Sequence, residues 1–251
     1  MITPELMRRL EHAVREALAG WPPQWAGFHW PGYTLQHTRR VRRLARRLAT
    51  EEDAPVEVVD VAALLHDIAK AAGTGHAEAG AERARALLDG QAPSEQVKAI
   101  AAAVAAHNSA EPGDPLAWRV LSDADKIDSN YGLVAVARYF TIRGSRGHSV
   151  DEALAWVPEW DRRHVELLGR LTTGAGRECA GERLAAMRAF CRAARAEGPE
   201  RVVAQFFLDE SAAPVLDRQV EVLAGGAAAG VTARQARPFA ERLRREIAGE
   251  L

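Results

Sequence analysis

Apolar residues recur at intervals of three and four along most of this 251-residue chain, and alternation of apolar and polar residues never extends beyond a few positions. The residues between them are dominated by Ala, Leu, Arg and Glu, which favour helices. Apolar residues at this spacing form one stripe of an amphipathic helix. The sequence therefore predicts an all-α fold.

Prolines and glycines divide this pattern into separate helices. The predicted helices span residues 4–19, 34–50, 55–70, 76–88, 93–108, 116–129, 132–142, 151–156, 159–171 and 176–196, with a last one starting near Thr232. We predict a helical domain over residues 1–200, with its core motifs at 33–142, and a C-terminal helical extension over residues 201–251 packed on it. The tryptophan-rich stretch 21–30 is interpreted as a loop pinned to the core, or as a lid that stacks a nucleobase, and "AGGAAAG" (224–230) as a hinge or helix break.

The charge balance excludes several classes of partner. The formal net charge is −1, so we expect no extended surface for nucleic acid and no attraction to an anionic membrane. No apolar run approaches the ~18 residues of a membrane span, and the N-terminus lacks the apolar core of a signal peptide. Cys179 and Cys191 show no CxxC spacing and are interpreted as reduced, helix-buried thiols. We expect a cytoplasmic protein.

Four polar side chains that could bind a metal lie in the apolar stripes of four predicted helices. They are His37 (in line with Val41 and Leu44), His66 (with Ala62 and Val59), His107 (with Ala103 and Ile100) and Asp125 (with Leu121 and Trp118). Such groups cost several kcal/mol in an apolar core unless they find a partner. One buried histidine alone is more often a paired core residue. Four of them, with Asp67 beside His66, favour a shared divalent cation.

The chemistry of these side chains limits the metal without choosing one. Imidazole and carboxylate groups on facing helices form metal sites in helical proteins. Without thiolates, the set suits Mn, Fe, Ni, Co, Mg or Zn. Asp123 is turned about 200° away from Asp125 by helical geometry, so we predict that Asp125 is the ligand and Asp123 is not.

The ordered motifs resemble the HD-domain superfamily of metal-dependent phosphohydrolases, over about Tyr33 to Glu197. His37, the pair His66–Asp67 and Asp125 match its H…HD…D signature. Finer matches are "HTRRV" (37–41), "ALLHDIAK" (63–70), "HAEAGAERARALL" (76–88) and "IAAAVAAHN" (100–108). "LTTGAGRECAGERLAAMRAF" (171–190) is similar to a segment of one branch of predicted HD hydrolases. The resemblance implies an HD-type helical bundle with additional C-terminal helices.

The resemblance also implies one or two metal ions per chain. The four residues of the signature would hold the first ion, and His76 and His107 match the positions that hold a second, with Asp67 bridging. We expect two ions, because one ion would leave His76 and His107 without a role. Asp67 is therefore predicted to be both a metal ligand and a catalytic residue.

Three basic residues are predicted to act on the substrate. Lys70 follows His66 by four residues and is predicted to be catalytic by stabilising phosphoryl charge. The alternative is a lysine that extends to solvent from a helix end. Arg40 and Arg138 match arginines of the family and are predicted to contact substrate phosphate. The six arginines between Arg39 and Arg47 are otherwise interpreted as a solvated, salt-bridged surface, with a phosphate-attracting rim as the alternative.

The implied activity is hydrolysis of a nucleotide or another small phosphate ester by metal-activated water. Two alternatives stay open: a mixed-valent di-iron oxygenase that cleaves C–C or C–P bonds, and a non-catalytic regulatory module that binds metal and nucleotide. Cleavage of a monoester, a diester or a pyrophosphate is equally open, as is a homodimer. His12, His29, His148 and His164 are interpreted as ordinary surface or loop histidines.

Overall fold

A computed structural model describes residues 2–19, 31–210, 219, 222–223 and 233–251. These residues contain helices and no strand, which confirms the predicted all-α fold. The helices are α1 (Pro4–Ala19), α2 (Pro31–Glu51), α3 (Val56–Leu65), a 3-10 helix (Lys70–Gly75), α4 (His76–Leu88), α5 (Ser94–Ala106), α6 (Leu116–Asn130), α7 (Leu133–Gly144), α8 (Val150–Ala155), α9 (Val157–Leu168), α10 (Gly174–Ala193), α11 (Pro199–Asp209) and α12 (Ala233–Ala248). The interpreted segments at 21–30 and 224–230 lie outside the described residues. None of the described helices is long and apolar enough to cross a membrane.

The chain divides into two compact units. The first comprises residues 1–126 and 172–177, and the second comprises residues 127–171 and 178–251. Two of the three boundaries fall within helices, in α6 and in α10, and the third lies between α9 and α10. The predicted domain at 1–200 with an extension at 201–251 stays a prediction.

In the first unit, α3 is the central helix and packs on α1, α2 and α5. Every residue from Val61 to Leu65 is buried, so the C-terminal half of α3 is apolar on all sides, as a helix segment surrounded by others must be. The helix α4 packs along α5. Gly80 permits this close approach, because a Cβ atom there would lie 3.2 Å from Val104 Cγ1 and 3.4 Å from the His66 carbonyl oxygen.

The sequence predicts a helix over residues 55–70. Its predicted end at Lys70 is wrong, because α3 ends at Leu65. The next turns are tighter: Ile68 N donates to Leu65 O at 3.0 Å, and Lys70 N donates to Asp67 O at 2.9 Å. Ala69, with φ −110° and ψ 24°, has left the helical region before the 3-10 helix begins. Alanine has high helix propensity, so composition does not reveal this break. Lys70 therefore follows Asp67 in a tight turn rather than lying one α-helical turn beyond His66.

In the second unit, α7 packs against α8, α11 and α12. Glu246 of α12 accepts hydrogen bonds from the N–H groups of Leu133 (2.6 Å) and Val134 (3.1 Å), which have no partner within their own helix. Gly132, with φ 95°, lies directly against the Glu246 carboxylate, where a Cβ atom would collide with it. This buried contact ties α12 to the start of α7.

The interpretation of His164 as a surface or loop histidine is wrong. It is buried on α9 in the second unit, and its Nδ1 donates to the Trp160 carbonyl oxygen. Its ring lies 4.7 Å from that of Trp160 and 5.6 Å from that of Tyr131, centroid to centroid. Burial lowers the pKa of its imidazole. His164 is a neutral, packed core residue.

Candidate metal centre

All six predicted metal ligands lie together in the first unit. Helix α2 carries His37, the turn after α3 carries His66 and Asp67, α4 begins with His76, His107 follows α5, and α6 carries Asp125. The donor atoms form two groups that share Asp67, each within 4.8 Å: His37, His66 and Asp67 in one, and Asp67, His76 and His107 in the other. His66 and His107 are 0% exposed and Asp67 is 1% exposed. Whether these residues bind metal stays a prediction.

The first group surrounds Oδ2 of Asp67. This oxygen lies 3.6 Å from His66 Nε2 and 3.9 Å from His37 Nε2. Asp125 joins the same group through Oδ1, which lies 3.0 Å from His37 Nε2 and 4.0 Å from His66 Nε2. Two imidazoles and two carboxylates thus face one small volume.

The second group surrounds the other oxygen of Asp67. Oδ1 lies 3.5 Å from His76 Nε2 and 3.9 Å from His107 Nε2. The two Nε2 atoms lie only 3.2 Å from each other. The carboxylate of Asp67 therefore stands between two pairs of histidines and presents one oxygen to each pair.

Backbone carbonyls fix the orientation of three of these imidazoles. Nδ1 of His66 lies 2.8 Å from Ala63 O, Nδ1 of His76 lies 2.8 Å from Gly73 O, and Nδ1 of His107 lies 2.6 Å from Val104 O. A carbonyl oxygen only accepts, so each Nδ1 carries a hydrogen. Burial lowers the pKa of all three imidazoles, which favours the neutral form. In a neutral ring with Nδ1 protonated, Nε2 presents a bare lone pair.

A bound cation is the ligand that suits these lone pairs best. The lone pairs of His76 and His107 face each other at 3.2 Å, where two acceptors repel unless a positive charge lies between them. His66 Nε2 and Asp67 Oδ2 are buried and make no hydrogen bond with any described residue. Each such orphaned group costs about 1–3 kcal/mol. Divalent cations accept imidazole and carboxylate ligands, so the residues present are able to hold a metal.

The two carboxylates are ionised, as metal ligands must be. Burial alone would raise the pKa of Asp67, but the Lys70 ammonium, 2.9 Å from Oδ1, helps to hold it below its usual range. Burial likewise opposes ionisation of Asp125, but the hydrogen bond with His37 and the electrostatic influence of the neighbouring histidines together hold the pKa of Asp125 well below its usual range.

Lys70 lies at the edge of the second group. Its Nζ donates to Asp67 Oδ1 at 2.9 Å and lies 3.5 Å from His76 Nε2, and its side chain is 18% exposed. Asn108, which sequence reasoning missed, also reaches this edge: its Nδ2 lies 3.3 Å from His76 Nε2. Its position directly after His107 was the available signal.

The two predicted substrate arginines lie in different units. Arg40 is buried on α2 in the first unit, with its guanidinium 5.3 Å from the centroid of the Tyr33 ring. Arg138 belongs to α7 in the second unit, where Nη1 donates to the Ser129 carbonyl oxygen at 2.9 Å. Their contact with substrate phosphate stays a prediction.

Asp123 points into a different polar cluster. Its carboxylate accepts hydrogen bonds from the backbone N–H and the hydroxyl of both Thr172 and Thr173, at 2.7–3.3 Å. Gly176 leaves room for this contact, because a Cβ atom there would lie 2.7 Å from Asp123 Oδ2. Sequence reasoning excluded Asp123 as a ligand but did not find this structural role.

Comparison with known proteins identifies a matching family model, the HD domain, over residues 34–130. That range contains all six residues predicted to be metal ligands. No curated protein sequence matches the chain significantly.

Solved structures of similar fold cover about three quarters of the chain. A protein of an uncultured Thermotogales bacterium, described as a predicted HD superfamily hydrolase, is 26% identical, with a TM-score of 0.53 over 74% of this chain and 88% of that one. Bacillus subtilis YpgQ in complex with ADP is 22% identical, with a TM-score of 0.56 over 77% and 96%. A Lactobacillus plantarum protein is 23% identical, with a TM-score of 0.54 over 78% and 98%.

The family match and the similar folds confirm the resemblance drawn from the motifs. Residues 34–130 match the HD domain, and the chain shares its fold with a predicted HD superfamily hydrolase.

Proposed function

We propose that this protein is a metal-dependent phosphohydrolase that acts on a nucleotide or another small phosphate ester. The observation that carries the proposal is the pair of residue groups that share Asp67, in which His66 Nε2 and Asp67 Oδ2 are buried without a hydrogen bond from any described residue. A divalent cation held there lowers the pKa of a coordinated water molecule and neutralises charge on a phosphoryl oxygen.

The histidines act by being held in place before substrate arrives. The carbonyls of Ala63, Gly73 and Val104 fix three imidazoles in the tautomer that exposes Nε2. Hydrogen bonds of this kind orient metal-binding histidines and raise their basicity. Asp67 joins the two groups, because its two oxygens face different histidine pairs.

Lys70 supplies a positive charge at the accessible edge of the site. Its ammonium is a compact point charge, held by Asp67 Oδ1 and partly exposed to solvent. A phosphate group entering from solvent would meet this charge, which would stabilise negative charge developing on its oxygens. By analogy with the family motifs, we propose that Arg40 contacts substrate phosphate, and we propose the same role for Arg138.

A nucleotide is the first class of substrate to test. YpgQ shares the fold of this chain and has been crystallised with ADP. The predicted net charge of −1 also gives no reason to expect a nucleic-acid polymer.

The test is a phosphatase and phosphodiesterase screen of chelated protein, repeated after Mn, Co or Ni is added. Nucleoside monophosphates, diphosphates and triphosphates are assayed beside p-nitrophenyl phosphate and its diester. We expect no activity after chelation and recovery with metal. Activity that survives exhaustive EDTA treatment would contradict the proposal.

Measurements on the same protein samples distinguish a hydrolase from the two alternative functions. A di-iron oxygenase would contain iron and consume oxygen with its substrate, whereas a hydrolase consumes none. A regulatory module would bind a nucleotide in the presence of metal and release no product from any substrate of the screen.

A further inference from the structure

A second, strongly basic cavity lies in the first unit, on the side of α2 away from His37. Its volume is about 430 Å³, and it is lined by residues of α1, α2 and α3. Arg46 follows His37 by nine residues, which places it about 180° around the helix. The cavity is therefore separated from the six ligands by the body of α2.

The lining residues carry five positive charges and one negative charge. The arginines are Arg15 of α1 and Arg39, Arg42, Arg43 and Arg46 of α2, and the carboxylate is Glu11. Among the four arginines of α2, Arg42 and Arg43 follow Arg39 by three and four residues and precede Arg46 by four and three, so all four lie on one side of the helix. Like charges at these spacings repel, and an anion bound among them would relieve that repulsion.

Part of this arginine cluster is held rigidly and part is available. Arg42 donates to Asp60 at 2.7 and 3.0 Å and to Glu11 at 2.6 Å, so the lining carboxylate is already engaged. Arg15 and Arg39 are exposed, and neither makes a side-chain hydrogen bond or ion pair with the residues that the structure describes. The cavity thus combines a fixed wall with two cations open to a ligand.

We infer that this cavity binds a small anion with two or more phosphate groups, at a site distinct from the metal centre. Guanidinium groups match phosphate oxygens in pairs, which makes arginine clusters suited to this ligand. The volume falls within the range of small-molecule pockets. Val14, Leu35 and Leu64 provide an apolar part of the lining that a nucleoside could contact. The inference does not depend on the proposed hydrolysis.

Isothermal titration of the full-length, chelated protein with inorganic tripolyphosphate and, separately, with ADP tests this inference. Chelation leaves no cation at the metal centre to attract phosphate and prevents turnover. The test variant is Arg15→Gln with Arg39→Gln, because neither side chain makes a contact whose loss would unfold the protein. Arg170→Gln with Arg244→Gln is the matched control, since it removes two exposed arginines of the second unit.

We expect wild type and control to bind, and the Arg15/Arg39 variant to bind at least about tenfold more weakly. The dissociation constant should rise with ionic strength. Similar affinities for the two probes would mean that phosphate groups alone are recognised, and tighter binding of ADP would mean that the nucleoside contacts the apolar lining.

Three results would overturn the inference: no binding by wild type, equal affinity of wild type and the Arg15/Arg39 variant, or equal losses in both double variants. Metal content measured on the same variants after separate saturation with metal and desalting checks the fold and the separation of the two sites. It should be equal in wild type and in the Arg15/Arg39 variant, and a loss of metal there would contradict a distinct site.

Discussion

Asp67 and Asp123 are two carboxylates of the first unit that are almost equally buried, at 1% and 0% exposure, yet their surroundings are opposite. Asp123 accepts hydrogen bonds from the backbone and side chains of Thr172 and Thr173, and both of its oxygens are paired. Asp67 has Lys70 on one oxygen and no hydrogen bond among the described residues on the other.

The difference separates a buried carboxylate with a structural role, Asp123, from one whose surroundings suit a bound cation, Asp67. Around Asp123, donors meet an acceptor, and the cluster is complete without any added group. Around Asp67, hydrogen-bond acceptors lie close to other acceptors, because Nε2 of His66, His76 and His107 all lie within 4 Å of the carboxylate oxygens. Burial alone does not separate these cases, whereas the hydrogen-bond partners do.

The largest effect is expected for Asp67→Asn. The amide retains one acceptor oxygen, but it has no charge and places a donor toward one pair of histidines. We expect loss of bound metal and a fall in activity of more than about 100-fold, beyond the 10–100-fold cost of changing groups that only orient ligands. Elemental analysis and the phosphatase assay measure both. Asp89→Asn, at an exposed position, is the control, and metal content equal in the two variants would contradict the role of Asp67.

Asp123→Ala should affect stability rather than metal. It leaves the N–H groups and hydroxyls of two buried threonines without their acceptor, so we expect a loss of about 3 kcal/mol in the free energy of unfolding. Asp125→Ala should do the reverse, abolishing metal binding at little cost in stability. Urea unfolding of the metal-free proteins excludes any contribution of bound metal to the comparison. Metal loss in the Asp123 variant with retention in the Asp125 variant would reverse the assignment.

The sequence predicts the directions in which the side chains of His37, Asp123 and Asp125 point, because these directions depend on helical periodicity. His37 faces the core because Val41 and Leu44, on the same stripe, are both buried. Asp125 and Asp123 diverge because residues two apart on a helix point about 200° apart. The six ligands could thus be found from spacing and motif, and the all-α fold from composition and periodicity.

The rest depends on contacts between residues far apart in the chain. Asp123 and Thr172 are in contact although they lie 49 residues apart in the chain, and no local sequence pattern at either position predicts the contact. The end of α3 at Leu65 follows an alanine-rich stretch that favours helix in isolation. His164 is buried by the rings of Tyr131 and Trp160, one of them 33 residues earlier. Such features follow from packing and not from local propensity.

His107→Ala sharpens the comparison within the metal centre itself. His107 contributes only to the group at Oδ1 of Asp67, so its loss should leave the group at Oδ2 intact. We expect close to two metal ions per chain in wild type and close to one in the variant, measured by elemental analysis after saturation and desalting. His12→Ala, which removes an exposed histidine paired with Glu16, should retain two. A wild-type stoichiometry of one that is unchanged by the substitution would show a mononuclear site.

Lys70→Met should have the smallest effect, and its direction distinguishes two roles for the lysine. If Lys70 acts on substrate phosphate, the variant should lose about tenfold in kcat. This loss is smaller than that of a donor in an enclosed oxyanion hole, because solvent screens a partly exposed charge.

The Lys70 ammonium also lies 2.9 Å from Asp67 Oδ1, where it repels a cation bound to the same oxygen. Removing it should therefore lower the metal concentration needed for half-maximal activity. A lysine that only supports the fold would give the opposite result, a lower melting temperature and weaker metal binding with unchanged kcat. Lys98→Met, which removes an exposed lysine paired with Glu95, controls for the loss of one charge.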